Sequence, residues 1–393
     1  MRSLKLLLPL LLSALMVDNC LAIPAFARKY DTSCLTCHTP FPRLKAYGEE
    51  YAANGFQLPD REAPRFTRET GDSSLLLMRE LPFALRLQGF VSWEPQATGQ
   101  SEVQSPSVLK LLSGGQIARD VSYYFYFFFS EMGSVAGLED AFIMFNNVFR
   151  SEIDFSVGQF QVSDPLFKRE LRMTLEDYMI YRAKVGSSSV NLTYDRGIML
   201  NRGFASGTDV VLEVVNGAGI GPAEGEHGFD NDKYKNVMLR VSQDIGDVVR
   251  IGGFGYFGNE EKNDQKSRVW LAGPDLTLSA DPVEVNFQYV ERRDENPYFQ
   301  PASSRPHDGD VKTRGLFGEL VYTPNGDESS WYGTLLYNWV DSQQEDLDYN
   351  AATAHFSYML ARNLRLVGEY TYSFKTDEQP AANRISVGFV TAF

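Results

Sequence analysis

The chain has 393 residues, 43% of them hydrophobic and 13% aromatic, and a formal net charge of −14 at pH 7. This acidic balance argues against a nucleic-acid partner, because no basic stripe is present to neutralise phosphates. No uninterrupted apolar run of about 18 residues occurs after the first residues of the chain, which excludes a membrane-spanning helix from that part.

The beginning of the chain is typical of a secretory leader. Arg2 and Lys5 precede an apolar run over residues 6–17, and Ala22 provides a small residue at a plausible cleavage point. The run is too short to cross a membrane. We therefore predict that residues 1–22 form a signal peptide and that the mature protein works outside the cytoplasm.

The segment Cys34-Leu35-Thr36-Cys37-His38 matches the pattern of a covalent c-type haem site. The thiols would tether the porphyrin edge, and the imidazole would ligate the iron. The remaining cysteine, Cys20, lies in the leader, so both cysteines of the mature chain belong to this motif. The alternatives are a tight disulfide or half of a zinc site, but no second cysteine pair completes four ligands. We predict one haem c, anchored by Cys34 and Cys37 and ligated by His38.

Residues 23–60 are predicted to form the haem-carrying unit. After the motif, Leu44, Tyr47 and Tyr51 recur at roughly helical spacing, and this helix is expected to cover one face of the haem. The segment 61–80, which begins with charged residues, proline and glycine, is predicted to be a linker.

From residue 81 onward, apolar residues alternate with polar ones, which is typical of strands with one apolar and one polar face. About sixteen such segments follow one another, near residues 83–94, 107–118, 120–131, 137–147, 152–160, 188–199, 208–216, 235–244, 249–258, 267–279, 282–292, 314–323, 330–341, 351–361, 363–374 and 383–393. The links between them alternate in length. Short links such as 244–248 and 361–363 fall on one side, and long links at 161–187, 217–234 and 292–313 fall on the other.

This pattern favours an outer-membrane barrel, in which short turns face the periplasm and long loops face outward. The last alternating segment ends in Phe393, and Tyr370, Tyr372 and Phe374 cluster near strand ends, where aromatic girdles occur. A soluble β-sandwich or barrel is the alternative, since its strands also alternate. We predict an all-β fold: an antiparallel transmembrane β-barrel of about sixteen strands over residues 81–393, preceded by a short α-helical c-type haem segment.

Residues 23–38, IPAFARKYDTSCLTCH, with Phe41-Pro42 and Tyr47-Gly48 after them, resemble the start of the fused cytochrome-porins of bacterial outer membranes, a family that includes proposed iron oxidases. Further on, the segments 157–160, 168–170 and 195–197 look like segments of the phosphate-selective porins, whose barrels have sixteen strands. The resemblance implies a single-haem cytochrome in or under a barrel in the bacterial outer membrane, on the periplasmic side or in the lumen. It implies electron transfer across that membrane.

A second axial ligand is the open question at the iron, because methionine or histidine there favours electron transfer whereas an open position permits binding of small molecules. Alternation turns His355 toward the lumen, and Met78 lies just before the first strand, so both are candidates. His227 and His307 fall in predicted external loops.

The predicted function is electron transfer between an extracellular donor or acceptor and a periplasmic cytochrome c or similar carrier. Its most concrete version is oxidation of external Fe(II), which would make the protein an Fe(II):cytochrome c oxidoreductase. Acidic loops around residues 260–261, 294–295 and 345–348 could concentrate the cation, although such runs are commonly just solvated. The alternatives are a solute-transport porin whose haem segment is a sensor or docking element, and a haem enzyme with an open iron site.

Overall fold

The computed structural model describes residues 25–58, 67–68, 70–75, 77–96, 101–223, 228–301 and 309–393. Within these ranges sixteen antiparallel strands close into one barrel, each bonded to its neighbours in sequence and the last bonded to the first. The strands are β1 (Phe83–Trp93), β2 (Ser101–Ala118), β3 (Val121–Glu131), β4 (Gly137–Phe145), β5 (Asp154–Gln161), β6 (Tyr194–Gly203), β7 (Thr208–Val215), β8 (Asn236–Ile245), β9 (Val249–Lys262), β10 (Gln265–Ala280), β11 (Val283–Glu295), β12 (Asp310–Tyr322), β13 (Trp331–Ser342), β14 (Tyr349–Ala361), β15 (Leu364–Ser373) and β16 (Ala382–Ala392).

The predicted fold class and strand count are thus confirmed. The described ranges also hold three short helices, α1 (Ala25–Tyr30), α2 (Ala46–Ala53) and α3 (Met179–Arg182). One-turn 3₁₀ helices lie at Cys34–Thr36, Val148–Arg150, Arg169–Leu171, Gly326–Glu328 and Glu345–Leu347, and Thr67–Arg68 pairs with Leu77–Met78 in the segment predicted as a linker. No helix in these ranges has the length and hydrophobicity that crossing a bilayer requires. The predicted signal peptide lies outside the described residues.

The two faces of the barrel differ as the alternation predicts. On β14, Phe356, Tyr358 and Leu360 are exposed on the outside, whereas His355 and Ser357 are buried inside. The same holds on β16, where the side chains of Ile385 and Val387 are exposed and that of Ser386 is buried. The barrel therefore presents an apolar outer surface and a lumen lined by polar groups.

The links at the two ends of the barrel differ in length. At one end, here called the short-turn end, strands are joined by links such as 246–248, 281–282 and 362–363. The opposite end, the long-loop end, carries the links 216–235 and 296–309. Three connections depart from the predicted asymmetry. Residues 263–264 alone join β9 and β10 at the long-loop end, and the longer links 146–153 and 323–330 lie at the short-turn end.

The connection 162–193, here called the inward loop, corrects one prediction. Its first part was expected to be an external loop and residues 188–199 a strand, but the loop folds into the lumen and β6 begins only at Tyr194. The reason is hydrophobic: Tyr178, Ile180 and Tyr181 are buried in a core shared with lumenal side chains of the wall such as Phe317. Burying these groups against the wall stabilises the inward position.

Residues 25–58, here called the N-terminal segment, lie in the short-turn end. The Oη of Tyr332 donates a hydrogen bond to the carbonyl of Phe41 at 2.8 Å, and Nη1 of Arg365 donates to the same carbonyl at 2.9 Å. On the other side, the amide of Asn146 donates to the carbonyl of Ala53 at 3.0 Å. The segment is therefore hydrogen-bonded to β13, to β15 and to the link that follows β4. The exact boundaries 23–60 and 61–80 stay predictions.

We expect Phe317→Ala to loosen the inward loop. The Phe317 ring stacks on Tyr178 with 4.0 Å between centroids and meets Phe167 and Tyr181 edge-on at 5.4 and 5.6 Å. Removing a ring from such a core costs about 3–5 kcal/mol. Limited proteolysis followed by mass spectrometry should then detect cleavage within residues 162–193 that the parent resists. Leu316→Ala, on the outer face of the same strand, should leave the loop protected; equal cleavage in both variants would contradict the packing.

Candidate functional site

The Cys-X-X-Cys-His motif lies in a single turn of 3₁₀ helix. Ser33 caps this turn by accepting a hydrogen bond from the backbone N–H of Leu35 at 3.3 Å, and the N–H groups of Cys37 and His38 donate to the carbonyl of Cys34 at 3.2 and 2.9 Å. The turn places both sulfurs and the imidazole on the border of one cavity. Both cysteines are free thiols, so they do not form the alternative disulfide.

The cavity beside the motif, here called the motif cavity, has a volume of about 230 Å³ and lies between the N-terminal segment and the barrel wall. Its lining is mainly apolar and aromatic. The rings of Phe26 and Phe56 stack at 4.9 Å, and Phe56 stacks in turn on Tyr124 of β3 at 4.9 Å. Flat aromatic walls of this kind suit a large planar apolar ligand.

The orientation of His38 is fixed by the backbone. Its Nδ1 lies 2.8 Å from the carbonyl oxygen of Pro42 and 3.1 Å from that of Arg43. Because a carbonyl can only accept, Nδ1 carries the proton and Nε2 carries the lone pair, which is the arrangement of a metal-ligating histidine. Burial lowers the pKa of His38, which keeps the imidazole neutral at pH 7. The free thiols, the oriented imidazole and the apolar cavity together fit a covalently attached haem.

The two candidates for a second axial ligand do not line the motif cavity. His355 faces the lumen as predicted, but its Nδ1 lies 2.8 Å from a carboxylate oxygen of Glu369 and its Nε2 lies 2.9 Å from Ser357 Oγ. Met78 packs near Gly115, outside the cavity. A methionine that the sequence candidates did not include, Met359, borders a small recess together with Cys34 and His38. His227 and His307 lie outside the described residues.

Charged groups meet at the lumenal side of the motif cavity. Arg86 of β1, Lys110 of β2 and Glu170 of the inward loop all border it, and Lys110 forms an ion pair with Glu170. The same three residues also border a second lumenal cavity of about 410 Å³, here called the central cavity, together with Arg172 and Arg365. Alternation along β1 and β15 is enough to turn Arg86 and Arg365 toward the lumen, but only the fold of the inward loop brings Glu170 and Arg172 to the strands.

The charge state of Glu170 follows from this surrounding. Burial raises the pKa of its carboxyl group, but Lys110, Arg172 and Arg86 together lower it further, to about 2. Glu170 is therefore ionised throughout the physiological pH range, and among the described residues it is the one carboxylate that borders both cavities.

Two of the predicted acidic loop residues have internal partners. Glu260 accepts hydrogen bonds from Ser188 Oγ and from the backbone N–H of Ser189, and Asp294 pairs with Arg292 inside the barrel. Both carboxylates are buried. They therefore hold the inward loop and the lumenal wall, and they do not contribute to an acidic surface at the long-loop end.

Comparison with solved structures shows a porin-like barrel. The anion-selective porin from Comamonas acidovorans matches with a TM-score of 0.60 and 11% identity, over 80% of this chain and 99% of that chain. Salmonella typhi OmpF in complex with daunomycin matches with a TM-score of 0.58 and 12% identity, over 81% of this chain and 98% of the other. OmpT, an outer membrane protein of Vibrio cholerae, matches with a TM-score of 0.55 and 11% identity, over 80% and 99%.

At these identities the likeness is one of fold alone. No family model matches the sequence, and no curated protein matches it either. The matched share of about four fifths leaves room for the motif-bearing segment in front of the barrel.

We expect Glu170→Gln to remove a pH-dependent part of the stability. A carboxyl group whose pKa falls from 4.5 to about 2 on folding stabilises the fold above pH 4.5, and this contribution is lost as the pH falls through 2. The shift corresponds to roughly 3 kcal/mol. Urea unfolding in detergent micelles should show the parent to be more stable than the variant at pH 7 and the gap to close near pH 2. The exposed Glu50→Gln serves as control; a gap that does not depend on pH would contradict the assignment.

Proposed function

We propose that this protein is an outer-membrane electron carrier with one covalently attached haem c. The observation that supports it best is the shared position of Cys34, Cys37 and His38 on one apolar cavity inside a closed barrel. The hydrogen bond that orients His38 through Nδ1 is a second support, since it leaves Nε2 free for iron.

The haem, when bound, supplies one-electron redox chemistry. The chain's own residues hold it and control its surroundings. Cys34 and Cys37 would anchor the porphyrin, His38 would ligate the iron, and the mainly apolar and aromatic lining would pack against the macrocycle. The barrel wall separates the site from lipid, and its apolar outer surface suits the bilayer.

The orientation in the membrane follows from the two ends of the barrel. In outer-membrane barrels short turns face the periplasm, so the N-terminal segment would face a periplasmic cytochrome c or similar carrier. The long-loop end would then face an extracellular donor or acceptor such as Fe(II), and the central cavity lies on the route between them. Oxidation of Fe(II) is the version of this proposal that names a substrate.

The double substitution Cys34→Ser with Cys37→Ser should abolish covalent haem attachment. Covalent attachment of haem c requires both thiols. Neither cysteine belongs to a strand of the barrel, so the substitutions should leave the barrel folded. A haem stain on a denaturing gel should be lost while the folded barrel is retained in the outer membrane. Thr36→Ala, inside the same turn, should keep the stain. Absence of stain from the parent itself would refute the proposal.

A second candidate function is solute passage through a porin. The fold comparisons favour it, and so do the central cavity of about 410 Å³ and a further cavity of about 770 Å³ at the short-turn end. Against it stand the inward loop and the N-terminal segment, which both occupy the lumen.

Liposome swelling separates these two functions. Because two segments of the chain fill the lumen, vesicles that contain the parent protein should swell slowly in sugars and small ions. Phe317→Ala, which loosens the inward loop, should swell faster. Rapid swelling with the parent, at the rate of an open general porin measured beside it, would favour the solute-transport function over the electron carrier.

A further inference from the structure

Two positive side chains stand directly opposite each other on the inner wall. Arg86 of β1 and Lys110 of β2 are Cα partners in the ladder, and both border the motif cavity. Like charges at directly paired positions destabilise a sheet, so this arrangement needs an anion to compensate it. Lys110 has one in Glu170.

Arg86 has no carboxylate in contact with it, because Glu170, whose charge it also feels, is paired with Lys110. Within the described ranges no acidic side chain lies at ion-pair distance from its guanidinium, and its neighbour Gln88 is neutral. With the Gln88 amide oxygen turned toward Arg86, this oxygen accepts hydrogen bonds from Arg86 Nε at 2.7 Å and from Arg86 Nη2 at 2.6 Å. Nη1 of Arg86 is not used in these two hydrogen bonds. Arg365, which borders the adjoining central cavity, has a buried Nε with no hydrogen-bond partner.

The charge around this point is therefore not balanced by the chain. Among the described residues five cations, Arg86, Lys110, Arg172, Arg365 and Arg384, border the central cavity, against three carboxylates, Glu94, Glu131 and Glu170. Two of them, Arg86 and Lys110, are shared with the cavity that Cys34, Cys37 and His38 border. A ligand that reaches both the thiols and these cations would carry negative charge at the end remote from the thiols.

We propose that Arg86 and Lys110 bind the two propionate carboxylates of the haem. This rests on the proposed function. In haem the propionates are carried by the two pyrroles that do not bear the thioether bonds, so a porphyrin fixed by its thioethers to Cys34 and Cys37 presents its carboxylates away from them. Guanidinium and ammonium groups are the natural partners of carboxylates, and in a site shielded from water such pairs are strengthened. The barrel wall would thus hold the cofactor that the N-terminal segment anchors.

A free carboxylate solute could supply the same chemistry as a propionate, and one measurement separates the two sources. Succinate binding is measured by calorimetry on the haem-loaded parent and on the haem-free double variant Cys34→Ser with Cys37→Ser. Succinate should bind the haem-free protein and bind the loaded parent at least tenfold more weakly, because the propionates occupy the cations. Equal binding to both proteins, or binding to neither, would overturn the proposal.

The decisive variant is Arg86→Gln in the haem-loaded protein, examined by spectroelectrochemical titration. Ferric haem carries one more positive charge than ferrous haem, so loss of a cation beside the propionates should lower the midpoint potential. We expect a threefold to tenfold change in the ratio of reduced to oxidised haem at fixed potential. The unpaired propionate should also take up a proton more readily, so the potential of the variant should depend on pH between about pH 5 and 8, where the parent is nearly flat. Arg86→Lys should restore both properties.

Arg384→Gln is the matched control, because Arg384 is a cation of the central cavity that does not border the motif cavity. It should change the ratio of reduced to oxidised haem at fixed potential by less than threefold, and it should leave the pH dependence of the potential unchanged. If Arg86→Gln does not fold, Lys110→Gln takes its place, and this variant is also expected to lower the midpoint potential of the haem. A haem-loaded Arg86→Gln protein with the parent's potential and pH profile, or one that matches Arg384→Gln, would overturn the propionate assignment while leaving the electron carrier intact. A parent without haem would overturn both.

Discussion

Closure of the sheet between the last strand and the first is the constraint on which the other features depend. The N–H of Phe393 donates to the carbonyl of Leu85 at 2.9 Å, and the N–H of Leu85 donates to the carbonyl of Phe393 at 2.7 Å. Once the last strand pairs with the first, the sheet has no free edge. Alternate residues along each strand then face either the lumen or the outer surface. Every lumenal side chain then belongs to an enclosed space, which is where the motif, the charges and the inward loop meet.

The lumen is filled from both ends by segments of different character. The inward loop enters with an apolar core of its own and packs on rings such as Phe317. The N-terminal segment enters at the short-turn end, is held by hydrogen bonds from Tyr332 and Arg365, and keeps an aromatic surface toward β3. The motif cavity is the space that these two segments and the wall leave between them, so it belongs to no single part of the chain.

This composite origin gives the wall an electrostatic role. A thioether-linked cofactor would need only the motif for attachment, but the charge of its surroundings is set by Arg86 and Lys110 on the strands and by Glu170 on the inward loop. In a site shielded from water such charges act strongly. The potential of a haem bound there and the stability of the barrel would therefore depend on the same few side chains.

The strands and their faces can be predicted from the sequence alone, because a period of two is a local property: His355 inward and Phe356 outward on β14 need only the alternation. The motif is local as well, since its spacing alone indicates the chemistry. Which residues distant in sequence lie close together depends instead on the tertiary structure. Residues 162–187 follow a strand at the long-loop end, and from sequence alone they are expected to form an external loop. Their inward position depends on the apolar surface that Phe317 and its neighbours provide on the wall. Glu170 reaches Lys110, and Arg86 reaches the motif cavity, only through contacts between residues distant in sequence, and no local pattern encodes such contacts.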